Sequence, residues 1–123
     1  MTSKIRSQRV SAGILAVALT ALPQLAGAAI SCMGSVDEVL LYADGTLNVR
    51  GTWRNDYTFL CNTNGTWGNV PAEVCLGWYG LLAKAAADNK TVLVWYETTA
   101  TCATVPTYGS SPVPIYVGLK RQL

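Results

Sequence analysis

The sequence predicts a mainly β domain with one α-helix, an α+β chain in the order β-β-β-α-β-β that closes as a small antiparallel OB-like barrel. Three observations carry this. Residues 47–53 alternate in polarity directly after an Asp-Gly turn. Residues 72–88 switch to an apolar stripe of helical period. Residues 91–97 are nearly all β-branched or aromatic, the composition of a central strand.

Residues 1–28 read as a secretory signal peptide. Lys4, Arg6 and Arg9 form its basic start, residues 12–22 its uncharged, mostly apolar centre, and Ala26-Gly27-Ala28 its small-residue cleavage signal. A spanning helix needs about 20 apolar residues, and Pro23 ends this run early. The domain is then 29–123. The whole chain has a net charge of +2, but the domain holds six Lys or Arg against seven Asp or Glu, a net of −1. No clustered basic face is left for nucleic acid. The alanine-rich leader points to a bacterial protein, secreted or periplasmic.

Within the domain, residues 36–42 form the first strand. Ala43-Asp44-Gly45-Thr46 marks a hairpin, because Asp-Gly readily adopts the positive φ of a primed turn. In 47–53, Leu47, Val49, Gly51 and Trp53 share one face, and Asn48, Arg50 and Thr52 the other. After a turn at 54–56, residues 57–61 form a third strand, and 62–69 a polar loop. Pro71 suits a first helical turn, where its missing N–H costs nothing. Val74, Trp78, Leu81, Leu82 and Ala85 then make the stripe, and Asn89 suits the helix end. Residues 98–102 are a threonine-rich connection or an edge strand. Pro106, Pro112 and Pro114 punctuate a loop, and 115–119 form the last strand.

Cys32, Cys61, Cys75 and Cys102, in an exported chain, imply two disulfides. Their gaps of 29, 14 and 27 residues lack the close Cys-x-x-Cys knuckles of a zinc site, so no metal is expected. Four cysteines allow three pairings, and spacing alone does not choose. The chain has no histidine, which excludes Ser-His-Asp and Cys-His chemistry. The adjacent acids Asp37 and Glu38 should face opposite sides of a strand. No nucleophile elbow or phosphate-binding glycine loop appears, so a non-enzymatic binding module with no cofactor is expected.

Two features suggest contacts beyond the chain. Trp67, in the polar loop Asn64-Gly65-Thr66-Trp67-Gly68, is placed to stack on a sugar or a partner. Gly77, Gly80, Lys84 and Ala87 line the helix face away from the stripe. Interior helix glycines each cost about 1 kcal/mol against Ala, a cost that a close-approaching backbone would offset. A subunit contact at Gly77, Gly80 and Lys84 is expected on that ground.

Several ordered pieces resemble the binding subunit of subtilase cytotoxin, in the AB5 toxin group. Tyr57-Thr58-Phe59-Leu60-Cys61 resembles that family's aromatic strand ending in cysteine, with Cys75 following 14 residues later. Leu81-Leu82-x-x-Ala85 resembles its helix, Thr91-Val92-Leu93-Val94-Trp95-Tyr96-Glu97 its following strand, and Val117-Gly118-Leu119 its last strand. Cys32 and Cys102 depart from the family's pattern. The resemblance implies an OB-like fold, a homopentameric ring with helices at the channel, a catalytic A subunit seated on the ring, and binding of sialylated glycans. It also implies a glycan site at Ser35, within Met33-Gly34-Ser35, and at Tyr96.

With Cys61 ending a strand and Cys75 in the first helical turn, one bridge between them pins helix to sheet. The expected pairs are therefore Cys61–Cys75 and Cys32–Cys102. The rival to a glycan-binding subunit is a standalone secreted or periplasmic protein that binds a protein partner.

Overall fold

The computed structural model describes residues 11–18 and 27–121. Most of the expected signal segment, including its basic start and Ala26, lies outside the described residues. Among those described, no helix is long and apolar enough to cross a membrane. The chain runs β1 (Ala29–Gly34), β2 (Val36–Leu41), β3 (Thr46–Gly51), β4 (Tyr57–Asn62), α1 (Ala72–Asp88), β5 (Thr91–Glu97), a 3-10 turn (Cys102–Thr104) and β6 (Tyr116–Lys120). The mainly β class with one helix is as expected; the order, β-β-β-β-α-β-β, has one strand more.

That strand is β1. Its sequence, Ala-Ile-Ser-Cys-Met-Gly, has little intrinsic β preference. It is a strand because the full length of β5 pairs with it, from Ala29↔Glu97 to Gly34↔Val92.

The strands form two antiparallel three-stranded sheets, β1-β5-β6 and β2-β3-β4, rather than a closed barrel. The chain crosses between sheets at Ser35, whose N–H donates to Thr52 Oγ1 (3.1 Å) and whose carbonyl accepts from Thr52 N–H (3.0 Å). Gly34 is needed there, since a Cβ would collide with the Thr52 side chain. On the far side, the segment 105–115 lies along the free edge of β4, and Tyr108 N–H donates to Tyr57 O at 2.8 Å. Pro106, Pro112 and Pro114 lack the N–H that a closing strand would have to donate.

Between the sheets and α1 lies the core: Leu47, Val49, Leu60, Val92, Val94 and Tyr96 from the strands, and Trp78, Leu82 and Ala85 from the helix. The helix bounds are as expected, and Asn89 adopts the left-handed cap at φ 50°. Its buried stripe is shifted, however. Cys75 faces inward and Val74 is exposed, because the Cys61–Cys75 disulfide fixes which side of the first turn meets the sheet. The second bridge joins Cys32 to Cys102, so both expected pairs form. All four cysteines are thereby unavailable to metal.

Two local expectations are corrected. The 43–45 hairpin is not a primed two-residue turn. Only Gly45 has positive φ (91°), with Tyr42 N–H bonded to Thr46 O, the pattern of a three-residue loop closing on a glycine bulge. And β3 stops at Gly51, so Trp53 is not a strand residue. Its ring folds back over Gly51, where any Cβ would collide with it.

A bulge in β4 also breaks the simple alternation. Leu47 pairs with Cys61 but Asn48 with Phe59, so Leu60 is the extra residue. That lets Leu60 and Cys61, adjacent in sequence, both point inward and be fully buried.

Candidate binding face

The outer face of the β2-β3-β4 sheet is built from two cross-strand rows. Glu38, Arg50 and Tyr57 form one, and Leu40, Asn48 and Phe59 the next. Phe59 is the centre of an aromatic cluster. It meets Tyr42 edge-on (centroids 5.7 Å), Tyr108 (5.9 Å) and Trp67 (6.3 Å), and Tyr108 in turn lies 5.8 Å from Tyr57. Edge-to-face pairs at these distances each contribute about 0.5–1.5 kcal/mol beyond their area burial. Tyr42 and Tyr108 are 38% and 46% exposed, while Phe59, Trp67 and Tyr57 are half-buried. No enclosed cavity is found among the described residues, so this is an open surface.

Backbone bonds hold the rings that come from loops. Trp67 and Val70 exchange N–H···O bonds of 3.0 and 2.9 Å, and buried Val70 anchors the pair. Tyr108 has a left-handed φ of 51°, a conformation that costs a bulky residue roughly 1–2 kcal/mol. Its N–H bond to Tyr57 and the Ser111 N–H bond to its carbonyl (3.1 Å) impose it.

One edge of the face is charged. Tyr57 Oη donates to Glu38 Oε2 at 2.6 Å, and Arg50 pairs with Glu38 (3.3 Å) and more distantly with Asp37 (4.0 Å). The Arg50 guanidinium also lies 5.8 Å from the Tyr57 ring centre. Asp37 and Glu38 do not face opposite sides as strand alternation implies. The ladder shifts register between Val36 and Glu38, and this bulge brings both carboxylates to Arg50. The bond to Glu38 is the main cause holding the Tyr57 phenol above its ordinary pKa, with burial adding to it.

Beneath the rings sits Asn48, wholly buried although it belongs to the outer face. Its Nδ2 donates to Tyr42 Oη at 2.9 Å. Its Oδ1 accepts no hydrogen bond among the described residues.

Of the expected site residues, only Trp67 belongs to this face. Ser35 sits at the β1–β2 corner, next to the Gly34↔Val92 pair, whereas Tyr96 is paired with Ile30 near the other end of β1. At about 3.3 Å per residue the two are roughly 15 Å apart along the strands. Tyr96 is fully buried, so its ring offers no surface to a sugar. The expected Ser35–Tyr96 site is therefore not assembled.

Tyr96 gives a structural prediction instead. Burial pushes its phenol up to about 12, and the Thr58 hydroxyl, near but not aligned for a good hydrogen bond, pulls slightly the other way. The folded pKa is the higher one. Its stabilising effect is intact below about pH 10 and is lost as pH rises towards 12, roughly 3 kcal/mol in all. Unfolding measured in urea across that range should show the loss, and Tyr96→Phe should flatten it. Removing an unpaired buried hydroxyl should also leave stability at pH 7 equal or higher. A loss of more than about 2 kcal/mol there would contradict this placement.

On α1, the residues expected at a subunit contact are all exposed, and Lys84 Nζ is bonded to Asp88 at 2.7 Å, one turn on. That pair raises the pKa of Lys84 and lowers that of Asp88. A Cβ at Gly77 or Gly80 would meet nothing within 4 Å, so no backbone of the described residues approaches them. Gly80→Ala should thus stabilise the isolated chain by about 1 kcal/mol, read by thermal unfolding at low concentration. Destabilisation would show a hidden contact.

No protein-family model matches the chain, and no curated relative or similar solved structure was found. What fold and site define is a class, a two-sheet antiparallel β domain with one packed helix, two disulfides and an open aromatic face.

Proposed function

We propose that the protein is an exported, non-enzymatic carbohydrate-binding module that takes sugar rings on the aromatic face of the β2-β3-β4 sheet. The observation that carries this is the convergence of Tyr42, Tyr57, Phe59, Trp67 and Tyr108 on one open, partly exposed surface. Aromatic faces match the apolar faces of sugar rings, and tyrosine hydroxyls meet sugar hydroxyls. Two disulfides fit an oxidising compartment outside the cytoplasm.

The resemblance to AB5 binding subunits supports glycan binding in general, although the Ser35–Tyr96 sialic-acid site it implies is not assembled here. It adds self-association through the α1 face at Gly77, Gly80 and Lys84, in a pentamer that carries a catalytic subunit. The open space at both glycines leaves room for a neighbouring subunit. Light scattering on protein recovered from the periplasm of an expressing bacterium tests this. An oligomer that Gly80→Leu dissociates is expected, and a wild-type monomer at high concentration overturns it.

Glycan-array binding of the same material tests the main reading. Retention of glycans by the wild type, weakened in Trp67→Ala and more so in Phe59→Ala, is the expected result. An exposed aromatic surface without an enclosed cavity also suits a protein partner. Binding to no glycan on the array would favour that reading and overturn ours.

A further inference from the structure

The aromatic face has an unmet hydrogen-bonding demand at its centre. Asn48 is 0% exposed and its Oδ1 has no partner among the described residues. A buried acceptor left unpaired costs about 1–3 kcal/mol, so its retention needs a reason. Among the described residues the amide's side-chain hydrogen bond runs to Tyr42 Oη, and Tyr42 is 38% exposed, just beyond the end of β2. Its backbone is held by Thr46, while its ring makes that bond and an edge contact with Phe59.

Resting on the carbohydrate-binding reading, we infer that Tyr42 is a cover over Asn48, that a ligand hydroxyl displaces the Tyr42 hydroxyl from the amide, and that the ligand is an uncharged sugar rather than an acidic one. A pair of neighbouring ligand hydroxyls then serves both ends of the amide, one accepting from Nδ2 and the other donating to Oδ1. A hydroxyl both donates and accepts, so it serves whichever way the amide is turned. The charged edge sets the preference. Asp37 and Glu38 present two carboxylates to the one guanidinium beside them, Arg50, which lies 3.3 Å from Glu38 and 4.0 Å from Asp37 with its Nε unbonded among the described residues, so the edge keeps a net negative charge. Ionised carboxylates only accept hydrogen bonds, so this edge suits ligand donors. The carboxylate of an acidic sugar would meet like charge there, which discriminates against it.

The test is an array of glycan pairs differing only by a terminal sialic acid, followed by titration calorimetry on the best-bound pair. The uncharged member should bind more tightly. Asn48→Ala should weaken it about tenfold, the value of one well-made hydrogen bond. Tyr42→Phe removes the competing hydroxyl but keeps the ring, so it should tighten binding severalfold, an effect no purely structural role would produce. Tyr42→Phe also serves if Asn48→Ala does not fold. Preference for the sialylated member, or unchanged affinity in both variants, overturns this inference and leaves the carbohydrate-binding reading standing. Binding of neither member overturns that reading itself.

Discussion

Converting Cys32 and Cys102 to alanine should lower the unfolding free energy by about 4 kcal/mol, against about 3 for Cys61 and Cys75, by the chain-entropy account of disulfides. The difference comes from loop length. The first pair closes 70 residues of separation, the second only 14. The longer bridge also holds β1, whose residues have the weakest strand preference and which lies at a sheet edge. Without it, β1 is held by its ladder to β5 and by the packing of Ile30 against the core. Urea unfolding of the two double variants gives the comparison directly. If the Cys61–Cys75 pair proves much the more valuable, clamping of the helix, and not restriction of the unfolded chain, dominates.

Phe59→Ala should weaken glycan binding about thirtyfold, or roughly 2 kcal/mol, the size of a central anchor in a binding surface. Phe59 contacts Tyr42, Trp67 and Tyr108, so its loss removes its own stacking area and frees three neighbouring rings. Trp67→Ala removes a peripheral ring and should cost less. Because Phe59 is only half-buried and faces outward, the fold should survive, with unchanged far-ultraviolet circular dichroism. Equal affinity in Phe59→Ala and wild type would place any glycan elsewhere.

Much of the fold could be read from residue pattern because local signals agree there with tertiary demand. The helix from Ala72 to Asp88 has its period, its proline start and its Asn89 cap. Strand β5 is nearly all β-branched or aromatic, and it is indeed the centre of its sheet. What escaped was settled by partners distant in sequence. β1 is a strand because of β5. The barrel stays open because a proline-punctuated segment, and not a strand, runs beside β4. Both bulges, at Asp37 and at Leu60, follow from what must be brought together across the sheet.

The binding face was half legible. Trp67 stood out as an aromatic residue on a polar loop. Tyr57 and Phe59 alternate with buried Thr58 and Leu60, so a strand over 57–61 carries both rings on one face, but nothing local marked that face as a binding surface. Tyr108 left no trace, since only the fold carries its loop back to β4. Asn48 looked like a surface residue of an alternating strand, and nothing local indicated that rings would bury it. Tyr96 misled for the opposite reason. A tyrosine in a central strand is a good ligand platform only if its side of the sheet is open, and here that side is the core.

The central claim is the location of the binding surface, and amide chemical-shift mapping during titration with an array-selected glycan tests it most directly. The account predicts that the shifts concentrate at residues 57–59, 67 and 108 and around Tyr42 and Asn48, with Gly34, Ser35 and Val36 unmoved. Shifts centred on the Ser35 corner or along the exposed side of α1, with the aromatic face silent, would contradict it.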